Sequence, residues 1–362
     1  MKIALISPFS SPLVEPFAGG TGVAIARLAT GLKHRGVDVV CYACEGSAIS
    51  GVEVRTCGVF ADSIAYPRAV NEMKGKEVLS FRATEDAVIY QAIEDALQDT
   101  SINVIHNHSF SGIPFFLTHF ISKPILHTLH LPPTRSAMTE ALRVCKTSKV
   151  QLHIVAVSYA HAQTWQPYYP VNQFIYNGLD FKAIPYSSHH NGTLAFAGRI
   201  VPAKGIEDAI EIAIRLGKNL AIYGDPKLAN RSYFQSRIQP LLQAHSNVTY
   251  YGLVDHQTLF QGLCQAQALL FPTKWEEPFG YVIVEAMATG TPVIIYDRGS
   301  ARELVVDDIS GYVVPPDDLN AMAAAVERTE KIDRSLCAAY AREKFNIEKS
   351  VDRYLELIQT IY

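Results

Sequence analysis

Apolar and polar positions along this chain fall into two kinds of block. Short, mainly apolar runs recur: IALIS (3–7), VDVVCYA (37–43), NVIHNH (103–108), PILHTLH (124–130) and LHIVAVS (152–158). They are too short for helices and read as strands buried on both faces. Between them lie stretches with helical spacing. From about Gly22 to Arg35, the residues Ile25, Leu28, Ala29 and Leu32 fall on one face, and Gly36 stands where a helix-ending glycine belongs. This alternation predicts parallel strands joined by right-handed helical crossovers.

Polar and turn-forming residues accumulate from Pro185 to Gly192, which makes that stretch the best linker candidate. The alternation then restarts with TLAFAG (193–198), a helix over 205–217, NLAIYG (219–224), NVTYYG (247–252), ALLFPT (268–273), a helix over 279–289 and TPVIIYD (291–297). The tail from Ile332 to Tyr362 reads as mostly helical. The expected organisation is α/β, with parallel-sheet domains over 1–180 and 190–345 and a last helical segment over 346–362. Open parallel sheets bind ligands beyond the carboxyl ends of their strands. Two such domains would face a central cleft, and the chemistry is sought there.

Composition narrows the function classes. The 362 residues are 48% hydrophobic and 19% charged, enough apolar material for two cores. A net charge of −3 lacks the basic excess of a nucleic-acid binder, so no nucleic-acid partner is expected. Neither half is strongly basic. No strong electrostatic membrane anchor is signalled, although a local patch leaves room for weak peripheral membrane contact. The six cysteines are scattered, and Cys41 and Cys44 lie in VVCYAC as two core thiols, in keeping with a reducing compartment. MKIALISPFS breaks at Pro8 without a long apolar region or a cleavage site, and no window approaches the ~20 apolar residues of a membrane span. A cytoplasmic protein is expected.

Four features carry candidate chemistry. In Glu277-Pro278-Phe279-Gly280-Tyr281-Val282-Ile283-Val284-Glu285, two carboxylates stand eight residues apart. On one helix they would be turned by about 800°, ~80° past two full turns, and both could meet one elongated ligand. Carboxylates accept hydrogen bonds from diols. The bland alternative is an acidic helix start that complements the dipole, but Glu285 lies in the apolar VIVEAMA, where an unpaired charge is costly. In FAGRIVPAKG (196–205), Arg199 and Lys204 flank a loop between a strand and a helix N-terminus. That loop fits a diphosphate and equally fits two solvated cations. Gly19-Gly20-Thr21-Gly22 follows the first strand and would let a phosphate approach the backbone, or simply turn. It is neither a dinucleotide fingerprint nor a Walker loop. His106 and His108 end one strand, and His127 and His130 end the next. No acidic or cysteine cluster joins them, so a metal site is not expected. His130 is the functional candidate, against inert core histidines.

In order, GGTG, LHTLH, YNGLD, GRIVPAKG and EEPFGYVIVEA resemble glycosyltransferase family 4, and the resemblance covers nearly the whole chain. It implies the GT-B fold, two Rossmann-like domains, and retaining, metal-independent transfer from a nucleotide diphosphate sugar to a hydroxyl acceptor. It also implies roles for particular residues. Glu277 would hold donor-sugar hydroxyls and Glu285 the ribose. Arg199 and Lys204 would neutralise the leaving diphosphate, with Gly19 and Gly20 closing on it. His130 would contact the sugar and the acceptor. The main chain of Phe279, Gly280 and Tyr281 would line the sugar pocket, the nucleobase would lie near Gly224 and Leu253, and the last helix would cross back to the N-terminal domain.

No D-x-D pair occurs in the chain, so no metal cofactor is expected, and the co-substrate is a nucleotide sugar. A UDP-linked hexose is the first expectation and GDP-mannose the second. The acceptor could be a sugar, a lipid-linked glycan or a small natural product. Two positions depart from the family pattern: Ala203 stands where an acidic residue often precedes the loop lysine, and Leu131 stands where an Asp often follows the histidine. The competing readings are an epimerase or hydrolase on the same fold, and a non-catalytic nucleotide-sugar-binding protein.

Overall fold

A computed structural model describes residues 1–17, 19–57, 76–225 and 231–362, with side chains throughout except at 76–80. The chain forms two compact units. One is Met1–Gly178 together with Ile347–Tyr362, and the other is Leu179–Asn346.

The first unit is built on strands β1 (Lys2–Ile6), β2 (Asp38–Ala43), β3 (Glu53–Thr56), β4 (Val104–Asn107), β5 (Ile125–Leu129), β6 (His153–Ala156) and β7 (Gln173–Phe174). They form a seven-stranded sheet in the order β3-β2-β1-β4-β5-β6-β7, and every pairing is parallel. The helices α1 (Gly20–His34), α2 (Lys76–Gln98), α3 (Ile113–Leu117), α4 (Ser136–Thr147) and α5 (Tyr159–Trp165) lie between the strands. The pleat of β1 divides its side chains between two cores. Ile3 and Leu5 join Ile25, Leu28 and Leu32 of α1, while Ala4 and Ile6 join Ile89, Ala92 and Ile93 of α2. Burial on both faces is why these strands read as continuous apolar runs.

The C-terminal helix (Ile347–Ile361) completes the first core with Val351, Tyr354 and Ile358. Each side chain so buried contributes roughly 1.5–3 kcal/mol of gross stabilisation. The helix packs closely against α1: a Cβ on Gly31 would collide with Val351 Cγ2. Arg35 fixes the pairing from outside through Asp352, at 2.8 and 3.1 Å.

The second unit holds β8 (Thr193–Ala197), β9 (Leu220–Tyr223), β10 (Val248–Gly252), β11 (Ala266–Phe271), β12 (Val293–Tyr296) and β13 (Gly311–Val314). Their order is β10-β9-β8-β11-β12-β13, again all parallel. Among its helices are α6 (Ile206–Leu216), α7 (His256–Gln265), α8 (Tyr281–Ala288), α9 (Leu319–Arg328) and α10 (Arg334–Lys344). Asp255 and Asp318 cap α7 and α9, accepting from Thr258 N at 2.7 Å and Ala321 N at 2.9 Å. In each sheet the first strand lies inside, so the strand order reverses between β1 and β4 and between β8 and β11. Those are the switch points where loops diverge at the carboxyl edge and leave room for a ligand.

The structure departs from the sequence reading in three ways. Strands β3, β7 and β13 were not expected; they are short, and the first two have partly exposed side chains that give a weak apolar signal. The polar stretch 185–192 belongs to the second unit. Ser187 N bonds to Thr289 O at 3.1 Å, Asn191 N to Gln265 O at 2.9 Å, and buried Arg334 donates to Ser187 O, Cys264 O, Ala266 O and Thr291 Oγ1, each at 2.9 Å. Turn-forming residues signal irregular backbone, not a lack of contacts. Finally, the helix expected from 279 begins at Tyr281. All six cysteines are free thiols, and burial pushes Cys41 up to about 12. Among the described residues no helix is long and apolar enough to cross a membrane.

Candidate functional site

The β8–β11 switch point of the second unit gathers three of the predicted residues. After β8 the chain turns through Arg199 and a 3-10 turn, Pro202–Lys204, into α6. This loop is tied to the end of β11: Lys274 N bonds to Ala203 O at 2.8 Å and Thr273 Oγ1 to the same oxygen at 3.3 Å. The docking carries Lys204 Nζ onto Glu277 Oε2 as an ion pair, with Trp275 Nε1 donating to that same oxygen at 2.7 Å. Lys204 Nζ also sits 4.8 Å from the Trp275 ring centroid and 5.2 Å from that of Phe271. The Arg199 guanidinium is 5.8 Å from the Trp275 ring.

The electrostatics of this cluster are uneven. The Lys204 side chain is only 12% exposed. Burial pulls its pKa below the usual lysine value; Glu277 opposes that shift and Arg199 adds to it. Arg199 is exposed and has no ion-pair partner among the described residues, so its five N–H donors are open to a ligand. Both bonds to the Glu277 carboxylate fall on Oε2, which leaves Oε1 as an acceptor. Two cations and a carboxylate oxygen at a sheet's carboxyl edge suit a substrate that is anionic at one end and hydroxylated at the other.

The expectation that Glu277 and Glu285 share one helix is not met. Gly280, at φ +84°, is the N-cap of α8. That left-handed turn ends the extended segment carrying Glu277 before the helix begins. Glu277 therefore belongs to the loop after β11, and its orientation is set by Lys204 and Trp275, not by helical rotation. Glu285 is the fifth residue of α8 and is 4% exposed. Phe279 is buried, Tyr281 opens the helix, and Ser300 anchors the loop by donating N–H to Glu277 O at 3.0 Å and Oγ–H to Phe279 O at 3.1 Å. The two adjacent acids divide their work: Glu276 accepts from Gly299 N at 2.7 Å, and Glu277 turns to Lys204.

Gly224 follows β9 and Leu253 follows β10, so with Arg199 and Glu277 these residues run along the carboxyl edges of four adjacent strands. Gly224 N bonds to Gly252 O and Tyr250 Oη to Gly224 O, both at 2.8 Å. Leu253 is 47% exposed, as a residue offering an apolar surface would be. Trp275 was missed in the sequence. The available signal was a tryptophan two residues before the inward-facing acid.

In the first unit, Gly19 is the N-cap of α1 and Gly20 its first residue; both are exposed beyond β1. The four strand-end histidines are all buried, and burial drives their pKa values down: His127 to about 3, and His106, His108 and His130 well below the ordinary range. Each is a neutral ring. His127 is held within the core by Asn107 Nδ2 at 3.3 Å and Thr118 Oγ1 at 3.0 Å. His130 Nε2 bonds to His108 Nδ1 at 2.8 Å, and His106 Nε2 to Thr128 Oγ1 at 2.8 Å. Among the described residues, no group of three or more His, Cys, Asp or Glu is placed to hold a metal ion.

Comparison with known proteins covers both halves. The family model described as Glycosyltransferase Family 4 matches residues 18–183, and the one described as Glycosyl transferases group 1 matches residues 182–345. The chain is 33% identical over 161 residues to the glycogen synthase of Mycobacterium tuberculosis, a match over 42% of this chain and 38% of the synthase. It thus spans less than half the length of the first curated relatives it matches. The sucrose-phosphate synthase of Thermosynechococcus elongatus shares the fold with a TM-score of 0.80 and 21% identity, covering 99% of this chain and 98% of that one. HepE of Anabaena, solved in complex with UDP, gives 0.74 and 18%, covering 99% and 100%. With each half matched by its own model and the two-sheet GT-B architecture shared from end to end, this chain belongs to glycosyltransferase family 4.

Proposed function

We propose that the chain is a retaining glycosyltransferase that moves a hexose from a nucleoside diphosphate to a hydroxyl acceptor without a metal ion. The observation that carries this reading is the paired Lys204–Glu277 cluster, with Arg199 unpaired beside it, at the β8–β11 switch point. Cleavage of a glycosyl phosphate places charge on the departing diphosphate. Two fixed cations at that position lower the barrier with no reorganisation at the moment of reaction. The absence of any D-x-D pair fits the same division of labour.

Glu277 Oε1 takes hydroxyl hydrogens of the sugar, and Glu285 is assigned to the ribose. Phe279, Gly280 and Tyr281 line the sugar position, while Gly224 and Leu253 flank the base. In the first unit, the Gly19–Gly20 backbone is assigned to the phosphates and His130 to a substrate hydroxyl. The transfer is written as front-face substitution. The bond from the anomeric carbon to the phosphate oxygen breaks, a bond to the acceptor oxygen forms on the same face, and the acceptor proton passes to the leaving phosphate. Glu277 positions the sugar and does not attack it.

UDP-linked hexose is favoured as donor, supported by the fold neighbour solved with UDP and with UDP-glucose; GDP-mannose is the next candidate. The free thiols fit a reducing, cytoplasmic setting. Thermal-shift titration with UDP and GDP should raise the apparent stability with one of them, because a ligand bound only to the folded state adds RT ln(1 + [L]/Kd). Transfer should persist in EDTA, and anomeric NMR should show the donor's configuration kept. Inversion, or loss of turnover in EDTA, overturns the mechanism; stabilisation by neither nucleotide overturns the donor site.

A further inference from the structure

His130 lies at the end of β5 with no bond on Nδ1 among the described residues. Unlike His106 Nδ1 and His108 Nε2, that atom is not among the sealed, unpaired buried atoms. Its other nitrogen is taken by His108. We propose that His108 is a positioning residue that fixes His130 as its Nδ1–H tautomer, so that His130 offers an N–H donor to a substrate oxygen.

Each ring is neutral and carries one N–H, and the 2.8 Å contact between His108 Nδ1 and His130 Nε2 holds one of them. If His130 were the donor, the proton of His108 would sit on Nε2, which is buried and has no partner among the described residues. That would be an orphaned buried N–H, a rare feature in folded proteins. If His108 is the donor, its Nε2 is a bare lone pair and the proton of His130 moves to Nδ1, the edge that is not sealed.

The same rule runs back through the strand ends. His106 Nδ1 is also buried and unpaired, which puts its proton on Nε2, donating to Thr128 Oγ1 at 2.8 Å. Thr128 Oγ1 meets Tyr354 Oη of the C-terminal helix at 3.3 Å. The His106 and His108 rings lie 4.0 Å apart between centroids, and those of His108 and His130 lie 5.1 Å apart, so His108 is wedged between two imidazoles and cannot swing away. Beyond His130, the carbonyl of Leu131 is pinned by His161 Nε2 at 2.7 Å and Trp165 Nε1 at 3.2 Å. The orienting role that an acid after His130 would serve is thus met from the neighbouring strand.

The inference rests on His130 meeting substrate, and the test separates the two. Long-range proton–nitrogen correlation on the full-length, 15N-histidine-labelled protein should show His130 protonated at Nδ1 and bare at Nε2 at neutral pH. His108→Asn keeps a donor at the ring's δ position and should retain that tautomer; His108→Phe should let His130 redistribute. With UDP-glucose as probe, nucleotide release should fall by about tenfold in His108→Phe and stay near wild type in His108→Asn. His108→Phe with His130→Ala should be no slower than His130→Ala alone. An Nε2–H His130 in the wild-type protein, or additive losses in the double variant, overturns the proposal, and the wild-type spectrum decides it even if His108→Phe does not fold. Wild-type turnover in His130→Ala rejects the substrate role assigned to His130, while the spectrum still decides the tautomer.

Discussion

At the β8–β11 edge of the second unit the candidate site side chains are ions: Lys204 paired with Glu277, and Arg199 beside them. At the β4–β5 edge of the first unit they are neutral imidazoles, His108 and His130, buried and bonded to each other. Both edges lie at the carboxyl ends of parallel strands, yet one keeps its charge through pairing and the other gives it up through burial. A carboxylate close to a largely buried ammonium offsets its desolvation. Among the described residues no carboxylate bonds to these histidines, and burial keeps them uncharged. On the function proposed above, the second unit would meet an anion and the first an uncharged hydroxyl.

This contrast can be broken experimentally, beginning where the effect should be largest. Arg199→Ala or Lys204→Ala should lower turnover by roughly 10²–10³-fold if each acts as one transition-state donor. Nucleotide release from UDP-glucose is the measurement, and wild-type rates in both would end the diphosphate assignment. Glu277→Ala leaves the largely buried Lys204 ammonium without its partner and should cost about 3 kcal/mol of stability in urea titration, whereas removing Asp352 from the exposed Arg35 pair should leave stability nearly unchanged. The histidines predict an acid-sensitive first unit. Each takes up a proton less readily folded than unfolded, so the unfolded chain binds more protons as pH falls below about 6.5. Stability should then drop by about 1.4 kcal/mol per pH unit for every histidine that stays neutral in the fold. Hydrogen exchange at pH 7 and pH 5 should show first-unit amides losing protection ahead of those around Lys204; equal loss in both units would remove the contrast. Trp275→Phe keeps the ring under Lys204 but deletes the indole donor to Glu277. It should cost about 1 kcal/mol and show as a several-fold rise in donor KM.

How legible was this in the sequence? Strand–helix alternation was plain, because strands buried on both faces must be continuously apolar and their helices must carry a one-sided stripe. Motif order placed Arg199 and Lys204 on a loop after a strand, while Glu277 was read at a helix start; the residues themselves specified charge and hydrogen-bonding capacity. Short edge strands such as β3 and β7 were not legible, since half-exposed strands lack the apolar run. The polar stretch before β8 was misread because composition reports backbone irregularity and not contact.

What the sequence determined by itself was local: the period of each element, the helix stop at Gly36, the absence of a D-x-D pair, and which residues could carry charge. What only the tertiary structure decided was who meets whom. A helical rotation of two acids gave way to a left-handed Gly280 and a loop docked onto Ala203. Glu277 rather than Glu276 turned inward, Trp275 joined them, and His108 was set against His130. Such pairings depend on strand order and loop docking across tens of residues, and periodicity along the chain carries no record of either.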